Sequence, residues 1–189
     1  NYFPTYQFLK ALLESCPDVQ INKDHLMIIS PDEGAMERSV YFANIFKSER
    51  DNEALTEVAF YTTDNNIDCE INVYTGMTSL LATPVNGTSL SKTTDSYAFA
   101  GYHTLTLDTP VKLTKGQYFS VVVKFTGSNA ISIPIEYKGS GSMSPNASQE
   151  EGSFVSSNGL NWQISDHNVC VRAFTETASD TPPTIKTES

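Results

Sequence analysis

Phe119-Ser120-Val121-Val122-Val123-Lys124-Phe125 is the stretch that decides the fold of this chain. Phe119, Val121, Val123 and Phe125 occupy alternate positions, so an extended backbone turns all four side chains to one face. β-Branched and aromatic side chains suit a pleated, half-buried surface, which makes this run the expected central strand of a sheet. A charge placed at Val123 should therefore be costly.

Outward from this strand the same period recurs. In Cys69-Glu70-Ile71-Asn72-Val73-Tyr74, residues Cys69, Ile71 and Val73 share one face and Glu70 and Asn72 the other, giving one buried and one wet side. Further strands are expected at Val40–Phe46, Leu55–Thr62, Leu80–Pro84, Tyr102–Leu107, Ile131–Tyr137, Ser153–Ser156, Asn161–Ile164 and Val169–Phe174. The segments Leu105–Leu113 and Lys115–Tyr118 suggest two strands joined by turns marked by Pro110 and Gly116. Short strands separated by turn residues predict an all-β fold, an antiparallel, jelly-roll-like β-sandwich.

The first residues follow another pattern. Pro4, then Phe8, Leu9, Leu12 and Leu13, predict a helix across Thr5 to Ser15, ended by Cys16-Pro17-Asp18. Leu26-Met27-Ile28-Ile29 is a short apolar run of the kind buried in a parallel sheet, and Ser30-Pro31-Asp32-Glu33-Gly34 turns it toward a second helix. The expected organisation is a helix-strand-helix α/β remnant over 1–38, a sandwich over 39–176 and a polar, Pro-containing linker over 177–189. Such a linker implies that the natural polypeptide continues into another module.

Composition excludes several partners. With 189 residues, 39% hydrophobic and 18% charged, the chain has the balance of a folded protein. A net charge of −10 makes nucleic acid a poor partner. No apolar run reaches the roughly 18–20 residues of a membrane span, so membrane insertion is not expected, and an export signal would have to lie upstream of Asn1.

Catalytic signals are weak. The β part has no G-x-S-x-G elbow, and His25, His103 and His167 read as solvated or hydrogen-bonded residues, so no catalytic residue is assigned. Asp64-Asn65-Asn66-Ile67-Asp68 gathers oxygens suited to Ca²⁺, but an Asx-rich turn explains the same residues better; no metal and no cofactor are expected. Cys16, Cys69 and Cys170 form neither a zinc pattern nor a disulfide framework, although Cys69 and Cys170 both lie in expected strands and are a candidate pair for a bridge. Trp162 follows the hairpin-like Ser156-Ser157-Asn158-Gly159, where it either packs or stacks on a sugar ring. Tyr97, Tyr102 and Tyr137 are weaker ligand-binding candidates of the same kind.

Several phrases resemble the lectin-like domain found beside papain-type cysteine peptidases in secreted bacterial proteins. They are Tyr41–Phe46, Leu55–Thr62, Gly101–Leu105, Gly116–Lys124, Pro134–Tyr137 and Asn168–Phe174, in an order that spans about 40–176. The resemblance implies a non-catalytic, extracellular or cell-surface accessory module, with a cell-wall or surface glycan as partner and a papain-type peptidase domain in the parent chain. A structural spacer with no ligand is the alternative.

Residues 1 to about 42 resemble an internal fragment of ribose-phosphate pyrophosphokinase, above all in His25–Ala35, where Asp32 matches an acid of that family's ribose-phosphate and metal region. The phosphate-cradling loops of that enzyme do not follow Phe46, so the resemblance implies an inactive remnant, with a seam between about Glu37 and Phe46.

Overall fold

A computed structural model describes residues 38–127, 131–137 and 150–177. The helix expected over Thr5–Ser15, the strand Leu26–Ile29, the helix after it, Cys16, His25, Asp32 and the chain beyond Thr177 lie outside the described residues.

All regular elements among the described residues are strands: β1 Arg38–Lys47, β2 Glu53–Thr62, β3 Ile67–Met77, β4 Thr88–Tyr97, β5 Gly101–Leu113, β6 Tyr118–Gly127, β7 Ile135–Glu136, β8 Ser153–Ser156, β9 Gln163–Ile164, β10 Asn168–Val169 and β11 Val171–Thr177. Every pairing is antiparallel. One sheet has the order β4-β3-β6-β1-β8-β9; a second has β11-β2-β5, and β10 pairs with β7. Only Cys170 separates β10 from β11, and its N–H donates to the Pro134 carbonyl at 3.0 Å, so the β7 pair continues the second sheet. The pairings β1·β6, β2·β5 and β3·β4 are nested, each enclosed by the one before.

Strand β6 is central, flanked by β3 and β1, as its alternation predicts. Val123 pairs with Phe42 on one side and Ile71 on the other, and all three are wholly buried. They join Val58, Phe60, Leu105, Val111 and Val171 from the other sheet in a single apolar cluster, so the two sheets share a core. Each such side chain withdrawn from water stabilises the fold by about 1.5–3 kcal/mol relative to exposure.

A second cluster covers the outer face of the larger sheet. Ala43, Ile45, Met77, Val122 and Phe154 are buried there under Leu80, Ala82, Val85 and Trp162. This corrects the expected strand Leu80–Pro84, which is a string of turns folded down as a lid. The Ser120 hydroxyl donates to the Pro84 carbonyl and anchors it.

Other expectations are also corrected. The strand that follows the lid is β4, Thr88-Ser89-Leu90-Ser91-Lys92-Thr93-Thr94-Asp95-Ser96-Tyr97, whose inward positions include the buried Ser91 and Thr93. Such a polar run gives no apolar alternation, and Lys92 on an edge strand discourages pairing with another chain. Leu105 to Leu113 belongs to one strand, β5, which carries Pro110; β5 is an edge strand with a register shift opposite Leu55 and Glu57, and proline is tolerated in such places. Of Ile131–Tyr137 only Ile135–Glu136 is strand, and of Asn161–Ile164 only Gln163–Ile164. Cys69 and Cys170 are free thiols, not a bridge: Cys69 faces the core from the larger sheet and Cys170 belongs to the other.

One buried acid ties three segments together. Glu53, 8% exposed, accepts from Ser48 Oγ at 2.6 Å, from the Arg50 N–H at 3.4 Å and from Thr175 Oγ1 at 3.2 Å. These donors, Ser48 foremost, hold its carboxyl below the usual 4.5 although burial pushes the other way. Its native pKa is depressed, so its contribution is complete above the unfolded-state pKa and is lost as pH falls through the native one. Glu53→Gln should cost about 1–2 kcal/mol at neutral pH and flatten the acid limb of urea-denaturation stability. An unchanged acid limb would show that other carboxylates govern it.

Candidate binding site

The β2–β5 register sets Tyr61 opposite Tyr102, with ring centroids 4.9 Å apart at 57°. Their neighbours Phe60 and His103 point the other way, toward the core, where His103 Nε2 lies 2.9 Å from Thr62 Oγ1. Tyr61 and Tyr102 remain 45% and 47% exposed, an aromatic pair open to solvent on the outer face of β2 and β5.

This pair borders a cleft of about 680 Å³ whose walls come from β1, β2, β5, β7, β8 and the β10–β11 strand. Arg172 sits across from Ala59 in the β11–β2 register, and the small alanine leaves room beside the tyrosines. The polar wall is built by pairing β10 with β7. Asn168 stands opposite Glu136, and its Nδ2 donates to Glu136 Oε2 at 3.4 Å. The Glu150 N–H donates to Asn168 Oδ1 at 3.0 Å. Deeper in, Ser153 Oγ donates to Asn44 Oδ1 at 3.0 Å and accepts from the Val169 N–H at 3.2 Å, which joins the two sheets along this side.

Among the described residues the lining carries four carboxylates, Glu49, Glu136, Glu150 and Glu151, against two cations, Lys47 and Arg172. The Cys170 thiol in the same wall is pushed up by burial and then by the Glu136 charge, with Arg172 opposing. Cys170 is thus held as the unreactive thiol.

The four aromatic residues singled out from the sequence do not converge. Tyr102 lies in the cleft wall. Tyr137 follows Glu136, half exposed, with its ring 4.9 Å from that of His167. Tyr97 packs between the sheets, its ring 4.0 Å from His103 and 5.7 Å from Phe60; burial, and then the Asp95 charge, push its phenol pKa up.

Trp162 sits on the outer-face cluster with its indole N–H donating to the Gly159 carbonyl at 3.1 Å. Gly159 has φ +72, and a Cβ there would lie 2.8 Å from the Tyr41 ring, so this turn is pressed onto the sheet.

In the Asp64–Asp68 stretch, Asp64, Asn65 and Asn66 form a bend that leads into β3, which Ile67 and Asp68 open. Asn66 is left-handed, Asn65 Oδ1 accepts from the Ala100 N–H, and Asp64 Oδ2 accepts from Thr63 Oγ1. Among the described residues no group of three His, Cys, Asp or Glu side chains is placed to hold a metal ion.

Residues 27–175 match the sequence model of the lectin-like domain family. The chain belongs to that family. The matched range of this lectin-like domain begins at Met27, upstream of the boundary near residue 39 expected from the sequence.

Two solved structures share the fold of the lectin-like domain. One contains the cysteine protease and lectin-like domains of Cwp84, a surface layer associated protein of Clostridium difficile, at 21% identity and TM-score 0.55, covering 75% of this chain and 32% of that one. The other is a clostridial cysteine protease Cwp84 variant after propeptide cleavage, at 20% identity and TM-score 0.55, covering 77% and 38%. The chain therefore spans about a third of the length of these structures. A comparison with curated proteins finds no match.

Tyr61, Glu136, Asn168 and Arg172 were not singled out from the sequence. Alternation in Phe60-Tyr61-Thr62 could have turned Tyr61 outward, but its meeting with Tyr102 depends on strand order, for which the sequence carries no local signal.

Proposed function

We propose that this lectin-like domain is a non-catalytic module that binds a carbohydrate or cell-surface polymer in the Tyr61–Tyr102 cleft. It would serve, outside the cell, as the accessory domain of a cysteine peptidase, on a jelly-roll-like sandwich. The observation that carries the reading is an exposed aromatic pair set beside hydrogen-bonding side chains in one concave site. Sugar rings present apolar C–H faces that stack on aromatics and hydroxyls that need amide and carboxylate partners, and the cleft holds both. Tyr102, and Tyr137 behind Glu136, are the ligand-binding candidates that this site retains; Trp162 and Tyr97 serve packing. The protease in the similar solved structures supports the accessory role, since there a lectin-like domain and a cysteine protease domain occur together.

Binding to a glycan array and to isolated cell-wall polysaccharide tests the reading. Tyr102→Ala and Tyr61→Ala should each weaken binding about tenfold, equivalent to ~1.4 kcal/mol, while Trp162→Ala should lower stability and leave affinity in place. No binding to any preparation would instead favour a spacer without ligand, and binding indifferent to Tyr102→Ala would move the site elsewhere.

A further inference from the structure

The charge balance of the cleft narrows its ligand, given the glycan-binding reading above. We infer that the cleft takes sugars without acidic groups and prefers amine-bearing amino sugars, rejecting polyanionic polymers that carry phosphate or carboxylate.

Three observations lead there. First, among the described residues of the wall carboxylates outnumber cations, and Glu49 and Glu151 are exposed at its rim, where an incoming charge would meet them. Second, the cations are few: Lys47, whose ammonium lies 5.3 Å over the Tyr118 ring, and Arg172. Arg172 stands in the same wall as Glu136. The Cys170 thiol beside both is pushed up first by burial and then by the Glu136 charge, with Arg172 opposing. Third, the chain as a whole carries −10, so long-range steering favours cations and repels polyanions before contact.

Each exposed ion pair of this kind changes affinity by about 1.5- to 5-fold, so a few acting together separate ligands of opposite charge by about tenfold or more.

The test uses three hexasaccharides: chitosan hexamer, its fully N-acetylated counterpart and hexagalacturonate. Isothermal titration at low salt should rank them in that order, with the galacturonate at least about tenfold weaker than the chitosan hexamer. The gap should shrink when salt shortens the screening length. The double variant Glu49→Gln/Glu151→Gln should narrow it about threefold. Galacturonate binding as tight as the N-acetylated hexamer, and lost in Tyr102→Ala, would overturn the charge inference and keep the glycan site. Equal affinity for all three would overturn it as well. If none of the three binds, or binding ignores Tyr102→Ala, both the inference and the site reading fall.

Discussion

Val123→Asp abolishes cooperative folding, where Val123→Ala costs only about 2 kcal/mol. Val123 is wholly buried on the central strand, between Phe42 and Ile71, and it belongs to the cluster shared by both sheets. An aspartate there must either keep its charge without a partner or take up a proton, and both states leave a polar group in an apolar layer. The cost exceeds about 4 kcal/mol, a large part of the 5–15 kcal/mol by which domains are usually stable. Urea denaturation followed by circular dichroism reads the outcome; a cooperative transition within about 1 kcal/mol of the Val123→Ala variant would mean that the two sheets do not close over this position.

Gly87→Ala has the second largest expected effect. A Cβ at Gly87 would lie 2.2 Å from the Thr75 carbonyl oxygen and 3.2 Å from the Met77 sulfur. The oxygen belongs to β3 and cannot swing aside as a side-chain tip would, so the start of β4 must move off its partner strand. Overpacking of this kind costs about 1–3 kcal/mol. The disturbance falls on the lid formed by Leu80, Ala82 and Val85, and Trp162, the only tryptophan, packs on the same cluster. Its fluorescence should shift to the red before global unfolding. An unshifted spectrum with unchanged stability would show that the β3–β4 connection yields without loosening the lid.

Strand β6 could be read from its residues because its apolar positions recur at the period of the backbone and it is buried on its inward face. Strand β4 could not. Its inward positions hold serine and threonine, and Thr93 Oγ1 accepts the Asp108 N–H at 2.9 Å, so it is held by a hydrogen bond where other strands are held by apolar contact. Leu80 to Pro84 misled for the opposite reason, since an apolar run reports burial and not conformation. The cleft was legible only through Tyr102. Its remaining wall is assembled by β2, β7, β10 and β11, which the β2–β5, β11–β2 and β10–β7 pairings bring together from distant parts of the sequence.

The strand register also fixes where the start of β1 and the end of β11 lie. Arg38 opens β1 at the end away from Lys47, whereas Thr177 closes β11 opposite Glu53, next to the turn that follows Lys47. The two points lie at opposite poles, separated by the length of a ten-residue strand, about 33 Å. β1 has neighbours on both sides, β6 and β8, whereas β11 is an edge strand paired with β2 alone. Tension applied at Arg38 and Thr177 would load the ladder hydrogen bonds in shear, all at once, instead of peeling them one by one.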